Sequence, residues 1–297
     1  MGSSISASRR YFSRRRSAGA GLLMHAFAAC GLTFFPAPLS AADRTSDSWP
    51  ASVHARYRLR FNGINVGRLD ISSKLAARTY SLSGSGQVSV LFGAIKWSGS
   101  ANVSGAISSG VPAPEKYAFS WRNNRKSGRI NMGFKHRTAT KIAVIPTPEI
   151  HSDTVLLSPA HKMGALDPVS AILMLTKSDS RPPCDRRVGI FDGKQRYDIV
   201  FSYKRTIRMP RTSADTSDAQ AYVCRATYEP IAGHRANADT RTYASNRDVE
   251  VMLRRIPRSA MLIPYSVTIP TFWGTGSMVA ERIEIATESA GKVVLAQ

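Results

Sequence analysis

The stretch CDRRVGIFDGKQRYDIVF, Cys184 to Phe201, concentrates a thiol, three carboxylates and a cluster of basic side chains. A thiol nucleophile needs a basic neighbour and a reducing compartment. A catalytic carboxylate needs a cleft and a partner that shifts its proton affinity. Asp192-Gly193, however, lies between two apolar-rich runs, and Asp-Gly is a strong turn signal. As the centre of a two-residue turn it would set Val188 opposite Tyr197 and Arg187 opposite Asp198, an apolar pair and an ion pair. Asp192 and Gly193 are therefore read as structural. Elsewhere, His151, Asp153, His161 and Asp167 crowd one region, but their spacing matches no metal motif, and solvated loop histidines explain them better. Ser277, in Gly274-Thr275-Gly276-Ser277, reads as part of a turn between strands. The chain lacks a Gly-x-Ser-x-Gly elbow, a His-Glu-x-x-His pair and a Walker loop. No catalytic residue, cofactor or metal is assigned.

The elements that must position these residues are mostly strands. From His54 to Phe61 the chain alternates: Ala55, Tyr57, Leu59 and Phe61 face one way, and His54, Arg56, Arg58 and Arg60 the other. That is a half-buried antiparallel strand. Asn62-Gly63 supplies a type I′ turn, and the return strand, Ile64 to Ser72, slips phase at Gly67, which predicts a bulge. Further strands are expected at about 79–91, 94–103, 116–121, 129–134, 138–145, 186–191, 195–205, 220–228, 248–254, 261–269, 278–286 and 292–295. One segment differs. Leu166 to Thr176 reads as a short buried helix, capped by Asp167 with Pro168 at its first position. The expected fold is mainly β: a single curved antiparallel sheet, open or spiral and barrel-like, wrapped around one short buried α-helix. An outer-membrane barrel is disfavoured by that helix and by the charged strand 56–60.

The N-terminus sets the compartment. Residues 1–42 carry five arginines and no acid, then an apolar run ending in Ser40-Ala41-Ala42. This predicts a removable signal peptide cleaved after Ala42, leaving one β-rich domain, 43–297, that does not span a membrane. Ser8-Arg9-Arg10-Tyr11-Phe12 fits a twin-arginine signal, and the general secretory route fits as well. The expected location is an oxidising bacterial periplasm. Cys30 leaves with the signal, so Cys184 and Cys224 are read as one disulfide. Removing five arginines from 41 basic residues leaves 36 against 20 acids, a charge of +16. Export argues against nucleic acid. Anionic envelope surfaces are the available partners, and simple solubility explains the charge equally well.

Taken in order, Tyr57-x-Leu59-x-Phe61-x-Gly63-x-x-x-Gly67, Leu166-Asp167-Pro168-x-Ser170-Ala171, Cys184, Phe191-Asp192-Gly193-Lys194-x-Arg196-Tyr197-Asp198 and Cys224-Arg225-x-x-Tyr228-x-Pro230-Ile231-x-Gly233 resemble the exported family DUF3108 of Gram-negative bacteria. The resemblance implies a curved envelope β-protein that shelters apolar groups, and it brings no catalytic residues. The expected role is binding of a lipid-like ligand or an envelope protein, in support of envelope maintenance. Tyr57, Leu59, Phe61, Ile64, Val66 and Trp273 are the candidates for a ligand groove. The rival readings are a hydrolase of an envelope polymer or lipid, and a structural scaffold.

Overall fold

The computed structural model describes residues 50–76, 78–90, 93–176, 183–210, 219–257, 261–287 and 291–296. The expected cleavage site after Ala42 lies outside these residues. The strands run in chain order as β1 (Ser52–Phe61), β2 (Ile64–Ala76), β3 (Thr79–Val90), β4 (Ile95–Ser108), β5 (Val111–Asn123), β6 (Ser127–Lys135) and β7 (Thr138–Ile145). After a crossing segment come β8 (Arg186–Phe191), β9 (Arg196–Arg208), β10 (Gln220–Ala232), β11 (Glu250–Arg255), β12 (Leu262–Thr271), β13 (Gly274–Thr287) and β14 (Gly291–Ala296). All join one antiparallel sheet, ordered β7-β6-β5-β4-β3-β2-β1-β13-β12-β11-β10-β9-β8, with β14 added beside β13. The sheet is nearly closed as a barrel.

The alternation in β1 explains its place. Ala55 and Tyr57 are buried, while His54 and Arg56 face solvent. Asn62 and Gly63 both take positive φ, as a type I′ turn demands. Leu59 pairs with Gly67 and Arg60 with Asn65, so Val66 is the extra residue of the expected bulge. β13 is shared: its first half pairs with β12 and its second with β14, and the space where those strands part holds Ile263, Tyr265, Ile283, Val293 and Leu295.

The helix α1 spans Ser170–Thr176, shorter than the sequence implied. Asp167 Oδ1 accepts the amides of Val169 (3.0 Å) and Ser170 (2.9 Å), the expected cap. Leu166 instead lies extended against β8: its amide donates to Gly189 O, and Phe191 N–H donates to Leu166 O. Met163 bridges to Thr138 of β7. The segment Met163–Leu166 thus engages both end strands and covers their free edges. Inside, Leu173 packs against the β3–β7 wall with Tyr80, Val103 and Ile130, while Ala171 and Leu175 pack against the β8–β12 wall.

Two expectations need correction. The β8–β9 register pairs Val188 with Ile199 and Ile190 with Tyr197. The central turn residues are Gly193 and Lys194, one residue later than expected, which moves the register by two. Asp192 is the cause: its Oδ1 accepts the amides of Lys194 (2.8 Å) and Gln195 (2.7 Å), so it stands before the turn and caps it. Arg187 still reaches Asp198 (2.9 Å) on the diagonal. The second correction is an extra helix, α2 (Ala238–Ser245), where the sequence implied none. The disulfide expected between Cys184 and Cys224 is formed, with both residues fully buried.

Candidate functional site

α2 is held by its ends. Asn237 Oδ1 accepts the Thr240 amide (3.0 Å), and Asp239 stands in the first turn, where a carboxylate suits the helix dipole. At the far end the Asn246 side-chain amide donates to Pro270 O (2.8 Å). Upstream, Arg235 pairs with Asp153 (2.9 Å), and Gly233 N–H donates to Val155 O. No residue of α2 is buried. The helix is a strap across the sheet, not a core element.

Beneath it runs a groove of about 580 Å³. Its floor is Ile199, Ala226, Tyr228, Val249 and Ile269, and Thr240 and Tyr243 stand on the α2 side. The floor continues the core: Ala226 belongs to the cluster around the disulfide, and Ile199 and Val249 pack on it. Few polar groups enter. Tyr228 donates to Gln195 Oε1 (3.2 Å) and its ring lies 5.3 Å from that of Tyr197. Burial, with the nearby Asp192 carboxylate second, raises the Tyr228 phenol above its ordinary range. It remains a neutral hydrogen-bond donor. A groove of this volume, apolar with a few polar groups at its rim, falls in the range of small-molecule sites, roughly 300–1,000 Å³.

The six residues singled out in the sequence do not share one groove. Tyr57 is buried in an apolar cleft beside α1, with Val53, Ile71, Leu173 and Ile263, and that cleft measures only about 60 Å³. Its phenol donates to Pro264 O (2.8 Å), a structural bond at the point where β12 leaves β13. Leu59 and Phe61 follow it, half-buried. Val66 lines a separate depression with Lys96 and Trp97. Ile64 and Trp273 are exposed at hairpin tips and line neither space. The basic stripe is also largely neutralised: Arg56 pairs with Asp70 and Arg58 with Glu281, leaving Arg60.

The residues weighed for catalysis are dispersed. His151 lies 3.8 Å from Glu149, with both side chains solvent-exposed. His161 Nδ1 accepts the Ser158 amide (3.1 Å). His234 is half-buried, and burial lowers its proton affinity. None lines the groove. Asp153 is engaged by Arg235 and Asp167 caps α1, so the loop carboxylates serve structure. Ser277 does not lie in the expected turn: the chain turns at Phe272-Trp273, and Ser277 sits in β13 opposite Arg60 and Thr268.

The groove was hard to foresee because α2 carries no apolar stripe. ADTRTYAS offers only Tyr243, and the legible signal was the Asn237 cap followed by Asp239.

Three comparisons with known proteins bear on this arrangement. The crystal structure of a β-barrel-like protein of domain of unknown function DUF1849 from Brucella abortus is similar in fold, with a TM-score of 0.51 at 9% identity, covering 80% of this chain and 98% of that one. A search of curated proteins finds no match. The family described as "Protein of unknown function (DUF3108)" matches residues 56–281, which include the second half of β1, the capped α1, the disulfide and the whole groove. The chain belongs to the DUF3108 family.

Proposed function

We propose that this protein is a non-catalytic binding protein of the bacterial periplasm that holds an apolar or amphipathic, lipid-like envelope ligand beneath α2. The observation that carries the reading is the groove itself: about 580 Å³, an apolar floor and a polar rim of Gln195, Arg235, Asn237 and Asp239. The end-held strap α2 gives the groove a side that can lift without disturbing the core, since no α2 residue is buried. The periplasmic location is supported by the arginine-rich, then apolar, N-terminal 42 residues and by the buried disulfide, which suits an oxidising space.

The test is displacement of an environment-sensitive fluorescent fatty acid. The protein should give a saturable signal that unlabelled fatty acid or phospholipid removes. Thr240→Trp fills the groove from the half-buried face of α2 and should abolish the signal while leaving the melting curve unchanged. Absence of displaceable binding in the wild type, or equal binding in Thr240→Trp, would overturn the proposal.

A further inference from the structure

Two hairpin tips stand side by side at one end of the barrel. Asn62, in the β1–β2 turn, exchanges two hydrogen bonds with Thr275 at the start of β13: its N–H donates to Thr275 O (2.9 Å) and its Oδ1 accepts the Thr275 N–H (2.8 Å). The stitched pair presents Ile64, Phe272 and Trp273, which are 70%, 90% and 79% exposed. Phe272 and Trp273 meet edge to face, 5.2 Å between centroids, so they form one projecting unit. Water exposure of three large apolar side chains on adjoining turns is costly and unexplained by packing.

The charge beside the first tip is one-sided. From Phe61 to Gly67 and from Met261 to Ala280 the chain carries no charged residue, and Glu281, which follows the second stretch, is paired with Arg58. The first of these stretches is flanked by Arg60 and Arg68, and among the described residues neither shows an ion pair with a carboxylate. Arg247, with Asp248 next to it, follows Asn246, whose amide holds Pro270 near the foot of the second hairpin. An apolar, Trp-bearing pair of tips with no acid in either stretch, and with Arg60 and Arg68 flanking the first of them, matches the chemistry of a lipid–water interface bearing negative headgroups. Trp favours that layer because its ring is apolar and its N–H is polar. Arginines beside it gain from the surface potential of anionic lipid.

We propose that these two tips form an interfacial anchor that docks the barrel, end-on, to an anionic lipid bilayer. This goes beyond the groove reading and does not depend on it. Ile269, a floor residue of the groove, lies three residues before Phe272 and is itself partly exposed, so docking would bring one end of the groove near the lipid.

The experiment is sedimentation with phosphatidylcholine vesicles, with and without phosphatidylglycerol, using the protein as isolated from its host. Wild type should pellet with the anionic vesicles, less so as salt rises. The double variant Phe272→Ser/Trp273→Ser should lose about tenfold or more in partitioning. Arg60→Gln/Arg68→Gln should weaken binding to anionic vesicles alone. Both variants should melt like wild type, because none of the side chains removed is buried. The tip variant should keep its displaceable fatty-acid signal, and Thr240→Trp should still pellet, which separates this inference from the groove. Failure of wild type to pellet with either vesicle, or unchanged pelleting of the tip variant, would overturn the anchor. So would a dimer without vesicles that the tip variant dissolves, since the patch would then face a second copy.

Discussion

Asp167 shows how one side chain here serves structure at an electrostatic cost. It is fully buried, its Oδ1 takes two amides of the first turn of α1, and its Oδ2 has no hydrogen-bond partner. Desolvation raises its proton affinity more than the amides lower it. A raised folded-state pKa means that the charged form is disfavoured in the fold. Stability from this group is therefore fully present below the ordinary carboxylate range and declines as pH rises through the raised value. Asp167→Ala should cost about 1 kcal/mol, the usual price of a lost cap. Asp167→Asn keeps an acceptor without the charge. It should be at least as stable as wild type at neutral pH and lose that relative advantage in acid, as read by urea midpoints across pH. If Asn and Ala lose equally at every pH, the cap is not what Asp167 contributes. The cap was legible because its sequence signal is local: Asp, then Pro, then an apolar run. Asp192 was half legible. A turn was evident from Asp-Gly, but the carboxylate's grip on two following amides, which places the turn a residue later, competes with the type I′ preference and is decided only in the folded hairpin.

At the scale of elements, the family's separated motifs turn out to be neighbours. The β8–β9 hairpin, α1 and β10 are drawn together by the disulfide, and Gly193 at the hairpin tip reaches β6. It takes φ +95°, and an added Cβ would sit 2.6 Å from Ile130 Cγ2. The C-terminal end of α1 is bound by Arg186 of β8, whose Nη1 donates to Met174 O (2.6 Å). The bond between Cys184 and Cys224 closes a separation of 40 residues, which in a chain-entropy account stabilises by ~4 kcal/mol. Cys224→Ser should lose roughly 2–5 kcal/mol. Denaturation under oxidising conditions measures the loss, and added reductant should bring wild type towards the variant. An unchanged midpoint would mean that the hairpin is held by packing alone. Strands and α1 were legible from alternation and an apolar run. α2 was not: its residues are polar or small, it is fixed by caps at both ends, and the groove it creates has no period to read.

Across the whole molecule, the wide sheet is organised by what lies inside it. Three apolar clusters line its wall, and α1 meets all of them: Leu173 with the β3–β7 wall, Ala171 and Leu175 with the β8–β12 wall, and Ile172 and Leu173 with Tyr57 and Ile263 across the small cleft. The antiparallel sheet was legible from repeated strands and turns. Its near closure was not, because that depends on backbone bonds of Met163–Leu166 to the two end strands, and those residues carry no strand alternation. A barrel braced by one seven-residue helix should unfold as a single unit. Leu173 tests this, being 5% exposed at the meeting point of the walls. Leu173→Ala should cost about 2–5 kcal/mol through lost transfer energy and the enlarged cleft, and should keep one cooperative transition. Leu173→Asp would set an unpaired carboxylate among Tyr80, Val103 and Ile130 and should prevent stable folding. Calorimetry of the alanine variant and yield of the aspartate variant are the measurements. If Leu173→Asp accumulates and melts like wild type, α1 is not the brace. If Leu173→Ala melts in two steps, the walls are independent and the sheet stands without its helix.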